Sequence, residues 1–145
     1  MKKHYLLILI IFFIFLIFYF NSDEKIKKAC INEKCFNLYL VETSQEKQKG
    51  LSIFDEILEN EGMLFVYDAA GEHSFWMKDM KFNIDIIWID ENYQIVHIEK
   101  NLFPCSLEEE CKIFSPNVNS KYVLEINANL TEKYNFKLGD SVELK

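Results

Sequence analysis

From Phe36 to the C-terminus the apolar residues come in short runs of strand length, and none of them sustains a helical period for long. "FNLYLVE" (36–42) alternates apolar and polar in the manner of a half-buried strand. "GMLFVY" (62–67), "HSFWM" (73–77), "IDIIWID" (84–90), "QIVHIEK" (94–100), "YVLEIN" (122–127) and "LGDSVEL" (138–144) extend the pattern, broken by Gly, Asn, Asp and Ser. In "IDIIWID" both faces are apolar, so this strand is expected to be covered on both sides. Asn92 suits a turn with positive φ between two of these runs, and 101–120, with both prolines, reads as a long loop. Two short helices fit between strands. One follows Thr43 or Ser44 as cap and stops at Gly50; the other spans "NLTEKYNF" with Asn129 or Thr131 as cap. The count is about seven strands and two helices, which predicts a mainly β domain, a compact antiparallel sandwich or small barrel.

The first residues obey different physics. Lys2 and Lys3 precede 16 apolar residues, Tyr5 to Phe20. This is the pattern of a signal or anchor segment outside the fold. The bulky end, Phe18-Tyr19-Phe20-Asn21, offers no small residues for a signal peptidase, and Lys27-Lys28-Ala29 is no lipoprotein box before Cys30. An uncleaved transmembrane anchor is therefore favoured over a cleaved signal peptide. A helix of this length covers roughly 24 Å of the about 30 Å hydrocarbon core, a deficit that lysine snorkelling and bilayer thinning offset. The lysines orient the N-terminus inward. The expected organisation is a signal segment at 1–22, a polar tether at 23–35 and a single β-rich domain at 36–145. That domain would be membrane-anchored outside the cytoplasm, or secreted if the signal is cleaved.

Charge narrows the partners. Formal net charge is −7, and every one of the 16 basic residues is Lys. Beyond the two N-terminal lysines, 14 Lys face 23 acids, a balance of −9. Such a domain repels nucleic acid and anionic headgroups, and it lacks the guanidinium fork that grips phosphate in two places. The expected partners are the membrane, through residues 5–20, and an envelope protein or a saccharide ligand.

Four cysteines form two local pairs, Cys30 with Cys35 and Cys105 with Cys111. An even count outside the cytoplasm points to disulfides. Three connectivities are open; local pairing is favoured because each pair brackets a short polar loop. The gaps of four and five residues fit neither redox motifs nor the usual zinc spacing well.

"GMLF" (62–65), "SFWMKDM" (74–80) and "IDIIWID" (84–90), in this order, resemble the bacterial and archaeal family called domain of unknown function 192. Its members typically read Gly-Met-Leu-Phe, Phe-Trp-Met-Lys-Asn-Thr and Pro-Leu-Asp-Ile. Gly50-Leu51, Pro104-Cys105 with Cys111, "KYVLEIN" (121–127) and Leu138-Gly139-Asp140 match as well, so the likeness covers 36–144. Met80 stands where Thr is usual, Asn83 for Pro, Lys121 for a common Arg, and Ser52-Ile53-Phe54 where Met-x-Arg often follows Gly-Leu. The resemblance implies a compact all-β domain behind a signal or anchor segment, and no particular reaction.

The chemistry-bearing residues cluster in 73–90. Asp85 shares a strand face with Ile87 and Ile89, where a carboxyl group needs partners. One reading makes it a buried tie that pins the 78–83 loop, with Lys78 the nearest charge. The functional reading makes Trp76, Lys78 and Asp85 a ligand pocket with Trp76 as its wall. His73, Met77 and Met80 are a lesser metal alternative, since imidazole and thioether suit Cu(I). Met77 equally suits the core, and no cofactor is expected. There is no nucleophile elbow, zinc-protease helix or phosphate loop. Asp85 with Glu125 is the one carboxylate pair on offer for an envelope hydrolase. Three functions follow: binding of a small ligand or envelope partner, hydrolysis of an envelope polymer, or a structural accessory role in a membrane complex.

Overall fold

A computed structural model describes residues 26–105 and 110–145. The apolar segment 5–20 lies outside the described residues, and no helix within them is long and apolar enough to cross a membrane. Nine strands appear in chain order among the described residues. They are β1 (Lys28–Ile31), β2 (Lys34–Val41), β3 (Glu61–Gly71), β4 (Phe75–Trp76), β5 (Ile84–Ile89), β6 (Ile95–Leu102), β7 (Ile113–Phe114), β8 (Ser120–Asn127) and β9 (Val142–Leu144). Helix α1 (Ser44–Lys49) runs into a 3-10 turn at Gly50–Ile53, and α2 spans Leu130–Lys133.

Seven strands make one sheet in the order β6-β5-β8-β3-β2-β1-β9. It curls into a half-barrel. At one end its two edges meet in a bridge between Gln94 and Ser141, with Val142 N donating to Tyr93 O at 2.7 Å and Gly139 N to Ile95 O at 2.8 Å. β4 and β7 form a separate two-stranded ribbon.

All pairings are antiparallel except β2 with β3, which run parallel. Parallel neighbours need a crossover, and α1 with its 3-10 turn supplies it. This crossover departs from the wholly antiparallel expectation and lays residues 44–58 across the sheet.

The sheet has two apolar faces. The inner one draws on all seven strands, including Ala29, Phe36, Leu64, Ile87, Ile95, Leu124 and Val142, and is closed by Leu130 and Phe136. The outer one joins Met63, Phe65, Ile86, Trp88 and Val123 to Leu51, Phe75, Met77 and Met80 from the covering segments. β5 is buried at every position, as its two-sided apolar pattern predicts. Gly62 is fixed by close approach: a Cβ there would stand 2.8 Å from the Glu125 carbonyl oxygen on β8.

The domain starts earlier than the expected tether allows. Lys28–Ile31 is a strand whose Ala29 and Ile31 are fully buried, and Cys30 faces Cys35 across the hairpin. The stretch reads as polar because Lys27, Lys28, Glu33 and Lys34 flank it. Strand "HSFWM" shrinks to Phe75–Trp76, and Tyr93, not Asn92, takes the positive φ of the β5–β6 turn. There Asp90 does the work of a turn residue, its Oδ1 accepting from Asn92 N and Gln94 N at 2.9 and 2.8 Å.

Candidate functional site

A groove of about 440 Å³ opens between α1 and the β4/β7 ribbon. One wall exists because of a capping box. Thr43 Oγ1 accepts from Glu46 N at 3.3 Å, and Glu46 Oε2 accepts from Thr43 N at 3.0 Å. Gly50 then ends the helix at φ 50°, a region that L side chains resist. A Cβ on Gly50 would lie 3.2 Å from Phe65 Cζ and 3.4 Å from Glu125 Oε2, so this glycine also keeps the floor open.

The opposite wall is the ribbon. Trp76 pairs with Ile113 and Phe75 with Phe114. Strand alternation buries Phe75 and Met77 and turns Trp76 and Lys78 outward. Phe75 packs edge-on against Phe65 and Trp88, at 4.9 and 5.6 Å between ring centres. Trp88 Nε1 donates to His73 O at 2.9 Å, and Cys105 N to Met77 O at 3.1 Å. The disulfide Cys105–Cys111 anchors the strand that returns as β7. Replacing both cysteines by Ser is expected to speed amide exchange in the β4/β7 ribbon by about tenfold or more, leaving β3, β5 and β8 protected. Hydrogen exchange read by mass spectrometry checks this; equal loss of protection in the main sheet would show that the bond supports the whole fold.

Glu125 forms the floor. It is 4% exposed and makes one hydrogen bond, accepting at 3.4 Å from Leu51 N. Burial pushes its carboxyl up to about 8, against a small opposing effect of the Leu51 amide. Tyr67, on the same floor, is raised to about 12 by burial first and by Glu125 second. The Lys47 ammonium sits 4.3 Å from the Tyr67 ring centre, and His73 stacks on the same ring at 3.4 Å. Burial, and then Lys47, hold the His73 imidazole below its ordinary value, while a backbone contact at Ser120 acts the other way.

The structure thus brings Trp76 and Lys78 together in the groove, with the Lys78 ammonium 5.7 Å from the Trp76 ring. It does not bring Asp85 there. Asp85 is fully buried on the inner face. Its Oδ1 accepts from Asn101 N at 2.8 Å and Asn129 N at 3.1 Å; its Oδ2 accepts from Thr131 N at 2.9 Å and Thr131 Oγ1 at 2.7 Å. It caps α2 from another strand, in place of the expected Asn129 or Thr131 side chain, and its partners are not Lys78 or the 78–83 loop.

Nor do Asp85 and Glu125 face each other. The register sets Ile126 opposite Asp85 and Ile86 opposite Glu125, so the two carboxyl groups leave opposite faces of the sheet. Of the metal alternative, Met77 is buried in the outer core, Met80 borders the groove and His73 is engaged with Tyr67. Cys30–Cys35 and Cys105–Cys111 are bonded as the local pairing anticipates.

Sequence reasoning named Glu125 only as a partner for Asp85, read Gly50 as a helix stop and a family match, and passed over Lys47 and Tyr67. A signal was present. Glu125 lies in an apolar strand on the same face as Val123, the feature that marked Asp85.

A half-barrel with an acid-floored outer groove defines a small β-domain class rather than a reaction. The chain belongs to the domain of unknown function 192 family, described as Uncharacterized ACR, whose model matches residues 19–144. Among solved structures it is similar to a protein of unknown function from Novosphingobium aromaticivorans DSM 12444. The two are 28% identical with a TM-score of 0.74, over 85% of this chain and 88% of that one. It also shares its fold with a candidate transcription regulator from Sinorhizobium meliloti 1021, at 22% identity and a TM-score of 0.72, over 81% of this chain and 90% of the other. A comparison with curated proteins gave no match.

Proposed function

We propose that this chain is a ligand-binding domain displayed outside the cytoplasm on a membrane anchor, with the groove between α1 and the β4/β7 ribbon as its site. The observation that carries this is Glu125, a buried carboxyl with one long hydrogen bond at the floor of an open, aromatic-walled groove. Burying a carboxyl so poorly partnered is costly, and folds keep such groups where a ligand supplies the missing partner. The apolar segment 5–20 behind two lysines supports the anchor, and disulfides, which persist in oxidising compartments, support the location. The hydrolase reading required Asp85 and a second acid side by side. Their placement on opposite faces of the sheet takes that pair away.

The test uses the full-length chain in a neutral, sugar-free detergent, screened by thermal shift against saccharides, short peptides and divalent metals. A ligand at about 100 times its Kd stabilises by about 2.7 kcal/mol, on the order of ten degrees for a domain of this size. Trp76→Ala, folded by circular dichroism, is expected to lose that shift. A shift of equal size in Trp76→Ala places the ligand elsewhere and ends the groove reading.

A further inference from the structure

We propose that the groove selects a carboxylate-bearing saccharide, an inference that rests on the groove being the ligand site. The domain is acidic, with 23 acids against 14 Lys beyond the N-terminal segment. Among the described residues the groove reverses this balance: Lys47, Lys49 and Lys78 line it, and Glu125 is the one acid. Among the described residues, no ion pair engages Lys47 or Lys78. Their ammonium groups rest instead on the groove aromatics, 4.3 Å from the Tyr67 ring centre and 5.7 Å from that of Trp76. A cationic ligand would meet both ammoniums where it needs the aromatic faces. An anion finds two lysines that no described acid pairs, Lys47 half-buried and Lys78 exposed.

The rest of the lining discriminates among anions. Trp76 is 46% exposed and offers a flat apolar platform at the lip. Ser44, Gln48 and Ser74 supply hydroxyl and amide groups around it. A sugar ring has an apolar face for the indole and equatorial hydroxyls for that rim. The protonated Glu125 carboxyl donates one hydrogen bond and accepts another, as a ring hydroxyl requires. A purely hydrocarbon acid would satisfy the lysines and leave buried Glu125 with the Leu51 amide alone, a loss that polar sites penalise.

Four probes decide the matter: a uronic-acid disaccharide, its neutral counterpart, a glucosamine disaccharide and benzoate. Each is titrated into the full-length chain in the same sugar-free detergent, with Trp76 fluorescence as the signal and Trp76→Phe as the control for Trp88. The acidic disaccharide is expected to bind at least tenfold tighter than the neutral one. The double variant Lys47→Ala, Lys78→Ala, folded by circular dichroism, is expected to lose that preference, and a preference of unchanged size in it overturns the charge selection.

Equal affinity for acidic and neutral disaccharides overturns the charge selection and leaves the groove as a ligand site. Tighter binding of the glucosamine disaccharide reverses the sign and overturns it too. Benzoate binding as tightly as the acidic disaccharide overturns the sugar. No response of Trp76 to any of the four overturns this inference, while the groove reading stands or falls by the thermal-shift comparison with Trp76→Ala.

Discussion

Glu125→Gln is expected to raise the stability of the domain at pH 9 by roughly 5 kcal/mol and to leave it nearly unchanged at pH 4. The sign follows from the two states of one proton. In the unfolded chain the carboxyl has its ordinary value of 4.5; in the fold, burial moves it up to about 8. Below pH 4.5 both states hold the proton and the residue contributes no pH dependence. Between 4.5 and about 8 the unfolded chain releases it and the folded one does not, so stability falls as pH rises. Above about 8 both are ionised and the loss is complete. Gln has the same shape and still accepts from Leu51 N, but it carries no charge to strand in the core. In thermal unfolding the difference at pH 9 amounts to ten degrees or more. Denaturation of both proteins at pH 4, 6.5 and 9 checks it. Parallel curves would mean that the folded carboxyl ionises as in water, and the account of the groove floor would fail.

The strands at the centre of the sheet were legible because their burial writes itself into sequence. β2 alternates, β5 is apolar on both faces, and β8 carries "YVLEIN". The peripheral elements were not. β1 is four residues flanked by lysines, and β7 is two residues inside a polar loop. Neither is long enough for a period to show, and both are held by pairing and by disulfides. The parallel β2–β3 pairing was hidden because α1, legible as a short helix from its cap and Gly50, has no buried residue to mark it as a crossover packed on the sheet.

The charged stretch 73–90 shows the same division. That Asp85 needs partners followed from its apolar neighbours. Which partners did not, because Lys78 is near in sequence while the real donors lie 16, 44 and 46 residues away. Lys81 is a plain surface charge, paired with Asp55 at 2.6 Å, and Asp79 sits at the turn with φ 59°. Trp76 and Lys78 were recognisable as outward-facing by alternation. Their companions Lys47 and Tyr67 come from other elements, and only the crossover brings them near.

Asp85→Asn is expected to destabilise the domain by about 3–5 kcal/mol, although it changes one atom. Four donors converge on this carboxylate, two on each oxygen. An amide keeps one oxygen and replaces the other with a donor. In one orientation that donor faces Asn101 N and Asn129 N; in the other it faces Thr131 N. Thr131 Oγ1 can turn to accept, but a backbone N–H cannot, so either orientation leaves a buried donor opposed by a donor. Asn101 and Asn129, whose amides donate to the carboxylate, also adopt positive φ, at 48° and 68°. Thr131→Val, which removes only the hydroxyl donor, is expected to cost about 1 kcal/mol. Urea denaturation of the two variants measures the ratio. Amide exchange should rise first at 129–131, where α2 begins, because the cap is lost before the sheet. A stable Asp85→Asn domain that has lost ligand binding would restore Asp85 to the site and take it out of the frame. Retained binding at temperatures where the variant is folded would assign the two acids of this sheet separate tasks: the inner one holds a helix in place, and the outer one meets the ligand.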